Sequence, residues 1–293
     1  MNQLFVIDIG NFRIKWAVAD HRRILREHEF ATSKFREIRR SKFPRLHLPD
    51  HLDGAIISCV VPDALSGVKA CLVKLGIHRP IVVSSKLDLG IGLRYPRPQQ
   101  IGADRLANAI AAVHLYGAPS VVIDFGTAVT FDVISRRKEY IGGVIAPGLS
   151  LMTDYLYEKT ALLPRVSLKE PSKAIGKDTV AAMRIGGVIG YRGMIRGILR
   201  AIRRELGMDF PSHPKKKFSK KPFLHVIATG GDGLFIASKI AEIKHINPQL
   251  TIEGLRILYA KILPAAAEGS TSRGAKFILE TSRLRKVARK EAS

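Results

Sequence analysis

The sequence predicts an α/β protein made of two similar lobes, and three observations carry that prediction. Residues 3–18 and 120–134 repeat one device: an apolar, β-rich run ending in Asp, a bulky apolar residue, Gly, a small polar residue, and a second β-rich run. The first copy reads Val6-Ile7-Asp8-Ile9-Gly10-Asn11 and the second Val122-Ile123-Asp124-Phe125-Gly126-Thr127. Each copy is followed by mixed strand-like and helix-like segments, and Gly117-Ala118-Pro119 stops a helix between the two series.

Taken in order, strands are expected at 3–8, 13–19, 55–60 and 80–84, where β-branched and aromatic residues precede turn residues. Residues 102–117 carry Leu106, Ile110, Val113 and Leu115 at helical spacing. The second series has strands near 120–125, 128–134 and 139–144, then helices near 148–158 and 176–207. The stretch 208–222 is Pro-, Lys- and Ser-rich without periodicity, so it is expected to be a surface loop. A strand at 223–229 runs into Thr229-Gly230-Gly231-Asp232-Gly233, and helices near 232–242 and 252–268 follow. The expected organisation is an N-terminal lobe at 1–118, a C-terminal lobe at 119–270 with a basic loop at 208–222, and a basic tail at 271–293.

Of the 293 residues, 46% are hydrophobic, enough for a substantial core. The formal net charge of +23 concentrates at 34–46, 213–222 and 273–290. Such charge attracts polyanions in general, but no nucleic-acid-binding motif accompanies it, so nucleic acid is not expected as a partner. No run of 18 apolar residues suggests a membrane span. The N-terminus enters a strand without a basic leader, and Cys59 and Cys71 lack metal or redox spacing. A reduced cytoplasmic compartment is therefore expected, with the cysteines as small buried hydrophobes.

Chemistry concentrates in the repeated device. A carboxylate at the end of a buried strand is costly unless it meets a cation or a donor. The adjoining Gly lets backbone approach a phosphate closely, Asn11 and Thr127 can donate to phosphate oxygens, and Lys15 adds a point charge. Two ordinary hairpins with an Asp capping each turn is the alternative. Gly102-Ala103-Asp104-Arg105 sits at a loop-to-helix junction. Asp104 there is either a helix cap or a general base, with Arg105 holding a carboxylate. The segment Gly142-Gly143 to Pro147-Gly148 is expected to open a helix, either as an anion site or as a structural turn. Transition-metal clusters, nucleophile elbows, Walker loops and dinucleotide fingerprints are missing.

The ordered set of motifs resembles the type III pantothenate kinases of the acetate and sugar kinase, Hsp70 and actin superfamily. It comprises Asp8-x-Gly-Asn11, Tyr95 with Gly102-Ala-Asp-Arg105, Asp124-Phe-Gly-Thr127, Gly142-Gly-x-Ile-x-Pro-Gly148, Thr160-Ala-x-Leu-Pro164, Gly176-Lys-Asp-Thr179, Thr229-Gly-Gly231 and Glu253-Gly-Leu255. The resemblance spans about residues 3–265. It implies two actin-like (ribonuclease H-like) lobes with mixed sheets and a cleft between them. It also implies ATP-dependent phosphorylation of pantothenate to 4′-phosphopantothenate, the first step of coenzyme A synthesis, by a homodimer. Carried over by motif, Asp104 is the general base and Asp124 binds potassium or ammonium. ATP is contacted by Asp8, Ile9, Gly10, Asn11, Phe12, Arg13, Ile14, Lys15 and Thr127. Pantothenate is contacted by Tyr95, Gly102, Ala103, Asp104, Arg105 and Thr179. Asp8 suits Mg²⁺, held directly or through water.

Two positions depart from the family pattern. Phe12 stands where a Thr or Ser is usual, so either backbone N–H groups and Arg13 compensate or ATP binding is weakened. Val129 replaces a usual Thr at a position expected to face the core. Phe12 and the net charge motivate an alternative, a non-catalytic nucleic-acid-binding regulator; a related superfamily kinase acting on another small acid is a second.

Overall fold

The structure, a computed structural model, describes residues 3–33, 49, 52–208, 223–231 and 233–267. The basic stretch at 34–46, nearly all of the loop at 208–222 and the tail at 271–293 lie outside the described residues. The described residues form two compact units, one of those up to Leu115 together with Leu250–Ala267, the other of those from Tyr116 to Gln249.

In the first unit β1 (Leu4–Ile9), β2 (Arg13–Ala19) and β3 (Ile24–Ala31) form an antiparallel meander. Next come β4 (Gly54–Cys59), helix α1 (Pro62–Lys74), the short strands β5 (Ile81–Val82) and β6 (Gly92–Leu93), and helix α2 (Ala103–Leu115). The sheet order is β3-β2-β1-β4-β5, with β4 parallel to β1 and β5 parallel to β4. Phe5, Ile7, Ile14, Trp16 and Ile57 build its core against Val68 and Leu72 of α1. The strand expected at 80–84 is only two residues long, whereas β3 and α1 had no expected counterpart. In β3, LREHEF leaves charged residues exposed between half-buried ones, so it lacks the apolar signal of a central strand.

The second unit begins with β7 (Ser120–Phe125), β8 (Ala128–Ile134) and β9 (Glu139–Pro147), again an antiparallel meander. It continues through α3 (Leu149–Lys159), α4 (Thr179–Ile185), a π-helical link at Gly186–Gly190 and α5 (Tyr191–Glu205). Strand β10 (His225–Gly230), helix α6 (Gly233–Ala237) and β11 (His245–Ile246) complete it. Strand β10 runs parallel to β7 and to β11, giving the order β11-β10-β7-β8-β9. The core joins Val121, Ile123 and Phe131 of the sheet to Tyr191, Ile195 and Leu199 of α5.

Two helix expectations are corrected, whereas Gly142 and Gly143 lie inside β9, within the strand expected near 139–144, and the segment they begin does open a helix, with Gly148 as the N-cap of α3. The helix expected over 176–207 is interrupted by the π-helical link, which contains three of its glycines, Gly186, Gly187 and Gly190. The helix expected at 232–242 shortens to Gly233–Ala237. Cys59 and Cys71 are free but only half-buried. Val129 is a core residue, as expected, and Trp16 is another.

The last helix, α7 (Leu250–Ala267), belongs to the first unit and packs on α2. Gly254 makes that approach possible, because a Cβ there would collide with the Ala107 carbonyl. Thr251 Oγ1 donates to Asn108 Oδ1 at 2.8 Å across the same seam. This explains the Gly within Glu253-Gly-Leu255.

Candidate active site

The two Asp-Gly hairpins fold alike. Strands β1 and β7 share one burial pattern, five buried residues with only the Asp half-exposed. In both, the Asp carboxylate sits at the end of an apolar strand, beside an antiparallel partner and a parallel one. Asp8 lies opposite Lys15 on β2 and Ser58 on β4; Asp124 lies opposite Thr130 on β8 and Thr229 on β10. Each Asp thus has a hydroxyl residue as its parallel neighbour on the same face of the sheet.

In the first unit Ile9 and Ile14 are buried, so what they present to a ligand is backbone. Asn11 and Phe12 form a two-residue turn closed by Gly10 N–H donating to Arg13 O at 3.0 Å. Phe12 is 64% exposed, its ring away from the core. Arg13 pairs with Glu29 at 2.7 Å, an exposed pair of small energetic value. Lys15 is half-buried beside Asp8.

Asp104 occupies the first turn of α2, after Gly102 and Ala103. Its Oδ1 accepts from the Arg105 backbone N–H at 2.8 Å. Burial pushes the carboxyl above the ordinary Asp range, and the Arg105 N–H and guanidinium only partly oppose that shift. Tyr95 is half-buried in the segment before the 3₁₀ turn at Pro98–Gln100, which leads into α2. Tyr95 and residues 102–105 thus follow one another in the first unit, joined by that turn.

In the second unit Asp124 ends β7 and Thr127 sits in the following turn. Gly148 holds that turn. Its N–H donates to Thr127 O at 3.0 Å, and a Cβ on it would collide with the Gly126 and Thr127 carbonyls. Thr179 is the exposed first residue of α4, behind the N-cap Asp178, whose Oδ1 accepts from Ala181 N–H at 2.8 Å. The segment after Thr229-Gly230-Gly231 is fixed from below by Arg192. This buried guanidinium forks onto Glu170 at 2.7 and 2.8 Å and donates to Phe235 O at 3.0 Å. Sequence reasoning missed Arg192 and Glu170, because a lone Arg in a basic helix carries no spacing signal. It also missed Ser58 and Thr32, single hydroxyls at strand ends.

Each unit thus carries a carboxylate-tipped strand and a Gly turn, and the first adds a raised carboxyl at a helix start. The sequence profile of the type III pantothenate kinases matches residues 4–201. The chain belongs to that family. A type III pantothenate kinase of Akkermansia muciniphila is 42% identical over 252 residues, covering 86% of this chain and 96% of the relative. One from a Geobacillus species is 37% identical over 265 residues, covering 88% and 97%. Among solved structures, a conserved Baf-family protein of Campylobacter jejuni aligns with a TM-score of 0.52 at 18% identity, covering 88% of this chain and 98% of that one. MreB 5 of Spiroplasma citri aligns with a TM-score of 0.51 at 10% identity, covering 92% and 99%. These place both units in an actin-like α/β fold with mixed sheets. The type III pantothenate kinase chain phosphorylates pantothenate in coenzyme A biosynthesis, using ATP.

Proposed function

We propose that Asp104 is the general base of this pantothenate kinase, and one observation carries the assignment: a half-buried carboxylate in the first turn of α2, held by the Arg105 N–H, whose proton affinity is raised by desolvation. A raised pKa makes a carboxylate a better proton acceptor. The pantothenate hydroxyl loses its proton to Asp104 as its oxygen bonds to the γ-phosphorus, and the bond from that phosphorus to the ADP oxygen breaks. Arg105 beside it supplies charge for the pantothenate carboxylate. Tyr95, Gly102, Ala103 and Thr179 complete the proposed pantothenate contacts. The turn residues from Asp8 to Lys15, with Thr127, are proposed to hold ATP, chiefly through backbone N–H groups.

Mg²⁺ fits this donor set. Among the described residues no cluster of three or more His, Cys, Asp or Glu could hold a metal, and Mg²⁺ in phosphoryl transfer typically takes one or two carboxylates, waters and substrate phosphates. The Ser58 hydroxyl beside Asp8 is buried without a hydrogen-bond partner among the described residues, a place where an ordered water is satisfied. Asp124, two residues before Gly126 in the chain, offers carboxylate oxygens of the kind a K⁺ or NH₄⁺ ion takes. When bound, these cations neutralise phosphate charge as it redistributes.

A homodimer is proposed as well. Leu151, Tyr155, Leu156 and Tyr157 of α3 and the following Leu162 are all exposed, and a second copy of the chain is the proposed cover for these side chains. No helix of the described residues is long and apolar enough to cross a membrane. Cytoplasmic location is proposed from the two free cysteines and the ATP requirement.

A coupled ADP-release assay tests the cation and substrate assignments together. Release that requires pantothenate and runs faster in K⁺ than in Na⁺ is expected. Equal rates in the two salts would remove the role given to Asp124.

A further inference from the structure

We infer that Thr32 is a positioning residue for the first phosphate turn. It is 6% exposed and lies one residue beyond β3. Its backbone N–H donates to Phe12 O at 2.8 Å, and its hydroxyl donates to Gly10 O at 2.7 Å. One residue thus engages two of the carbonyls of the Gly10–Arg13 turn.

The consequence follows from peptide geometry. In a planar trans peptide the C=O and N–H point in opposite directions. Anchoring the Gly10 and Phe12 carbonyls on Thr32 therefore turns the Asn11 and Arg13 N–H groups away from it. An anion at this turn meets N–H donors with the carbonyl dipoles held back, the arrangement a backbone anion site needs. A carbonyl that accepts a hydrogen bond also polarises its own peptide unit, strengthening the N–H on the other side.

The second unit reaches the same end by other means. There Gly148 N–H takes the Thr127 carbonyl, and Gly148 packs against the Gly126 carbonyl. The first turn has a side-chain hydroxyl where the second has backbone alone. This also accounts for Phe12: with the donors supplied by backbone that Thr32 orients, the turn has less need of a hydroxyl at position 12, and the ring extends into solvent.

The inference rests on the assignment of residues 8–15 to ATP, and the test separates the two. Thr32→Val removes the hydroxyl while keeping shape and the N–H bond to Phe12. Thr32→Ser restores the hydroxyl. Lys15→Ala reports whether this hairpin binds ATP at all. The dissociation constant of a non-hydrolysable ATP analogue is measured by calorimetry, with KM for ATP and for pantothenate and a thermal melt alongside. Thr32→Val is expected to weaken the analogue and raise KM for ATP roughly fivefold, the worth of one hydrogen bond. KM for pantothenate should stay within twofold, and Thr32→Ser should recover ATP binding. If Lys15→Ala weakens ATP and Thr32→Val does not, Thr32 has no positioning role and the ATP assignment stands. If neither variant weakens ATP, both fall. If Thr32→Val raises both KM values together with a large fall in melting temperature, and Ser does not restore ATP binding, the residue is structural only and the inference is overturned.

Discussion

Asp124 stands directly beside Thr229 in the parallel pairing of β7 with β10. Asp8 has the same relation to Ser58, where β1 pairs with β4. The repeat visible along the chain as Asp-x-Gly is thus also a repeat across the sheets, with each carboxylate flanked by a hydroxyl from a strand distant in sequence. A hydroxyl beside a carboxylate can donate to it or share a bound water, easing the cost of burying charge.

Asp104→Asn should reduce turnover by about 10²–10⁴-fold, the usual contribution of a general base. The melting temperature should hold or rise, since burial opposes ionisation of this carboxyl and Asn keeps an acceptor for the Arg105 N–H. Steady-state rates and a melt on the same sample check this. Activity within a few-fold of the parent would take Asp104 out of the base role.

The pH dependence has a definite sign. The Asp104 pKa is raised in the folded state, so the acidic limb of kcat/KM should lie above the ordinary Asp value of about 3.9. The folded chain also binds this proton more tightly than the unfolded chain. The resulting stabilisation is full below the unfolded pKa and is lost as pH rises through the folded one. Parent and Asp104→Asn melts compared across pH should therefore diverge over that interval, with the parent losing stability relative to the variant. Parallel curves would show that the carboxyl is not desolvated.

Phe12→Thr exchanges an exposed ring for a donor in the first turn. Surface changes of this kind alter stability by about 0.5 kcal/mol or less, so the melting temperature should barely move. KM for ATP should fall a few-fold as the hydroxyl adds a phosphate contact. A loss of activity would reveal a role for the ring in substrate closure or assembly.

Gly148→Ala places a methyl group against the Gly126 and Thr127 carbonyls. Overpacking of this sort costs about 1–3 kcal/mol, and the shift falls on the turn beside Asp124. A drop of several degrees in melting temperature and a larger proportional loss of rate are expected. A variant with unchanged rate would show that this turn tolerates displacement.

Local chemistry made the two hairpins legible in sequence. Short β-branched apolar runs bounded by turn residues read as buried strands, Asp at their ends marks where the sheet meets polar surroundings, and Gly fixes the turn. The same locality exposed the Asp104 helix start and the order of motifs that defines the family. What stayed hidden depends on partners far along the chain. Thr32 gains meaning only when β3 returns beside the turn at Gly10 and Phe12. Arg192 is one basic residue among many until Glu170 and the Phe235 carbonyl close around it. The return of α7 to the first unit was decided by a surface match, the bare backbone of Gly254 against Ala107. Periodicity encodes which face of an element is apolar; it does not encode which other apolar face will cover it, and that choice belongs to the tertiary structure.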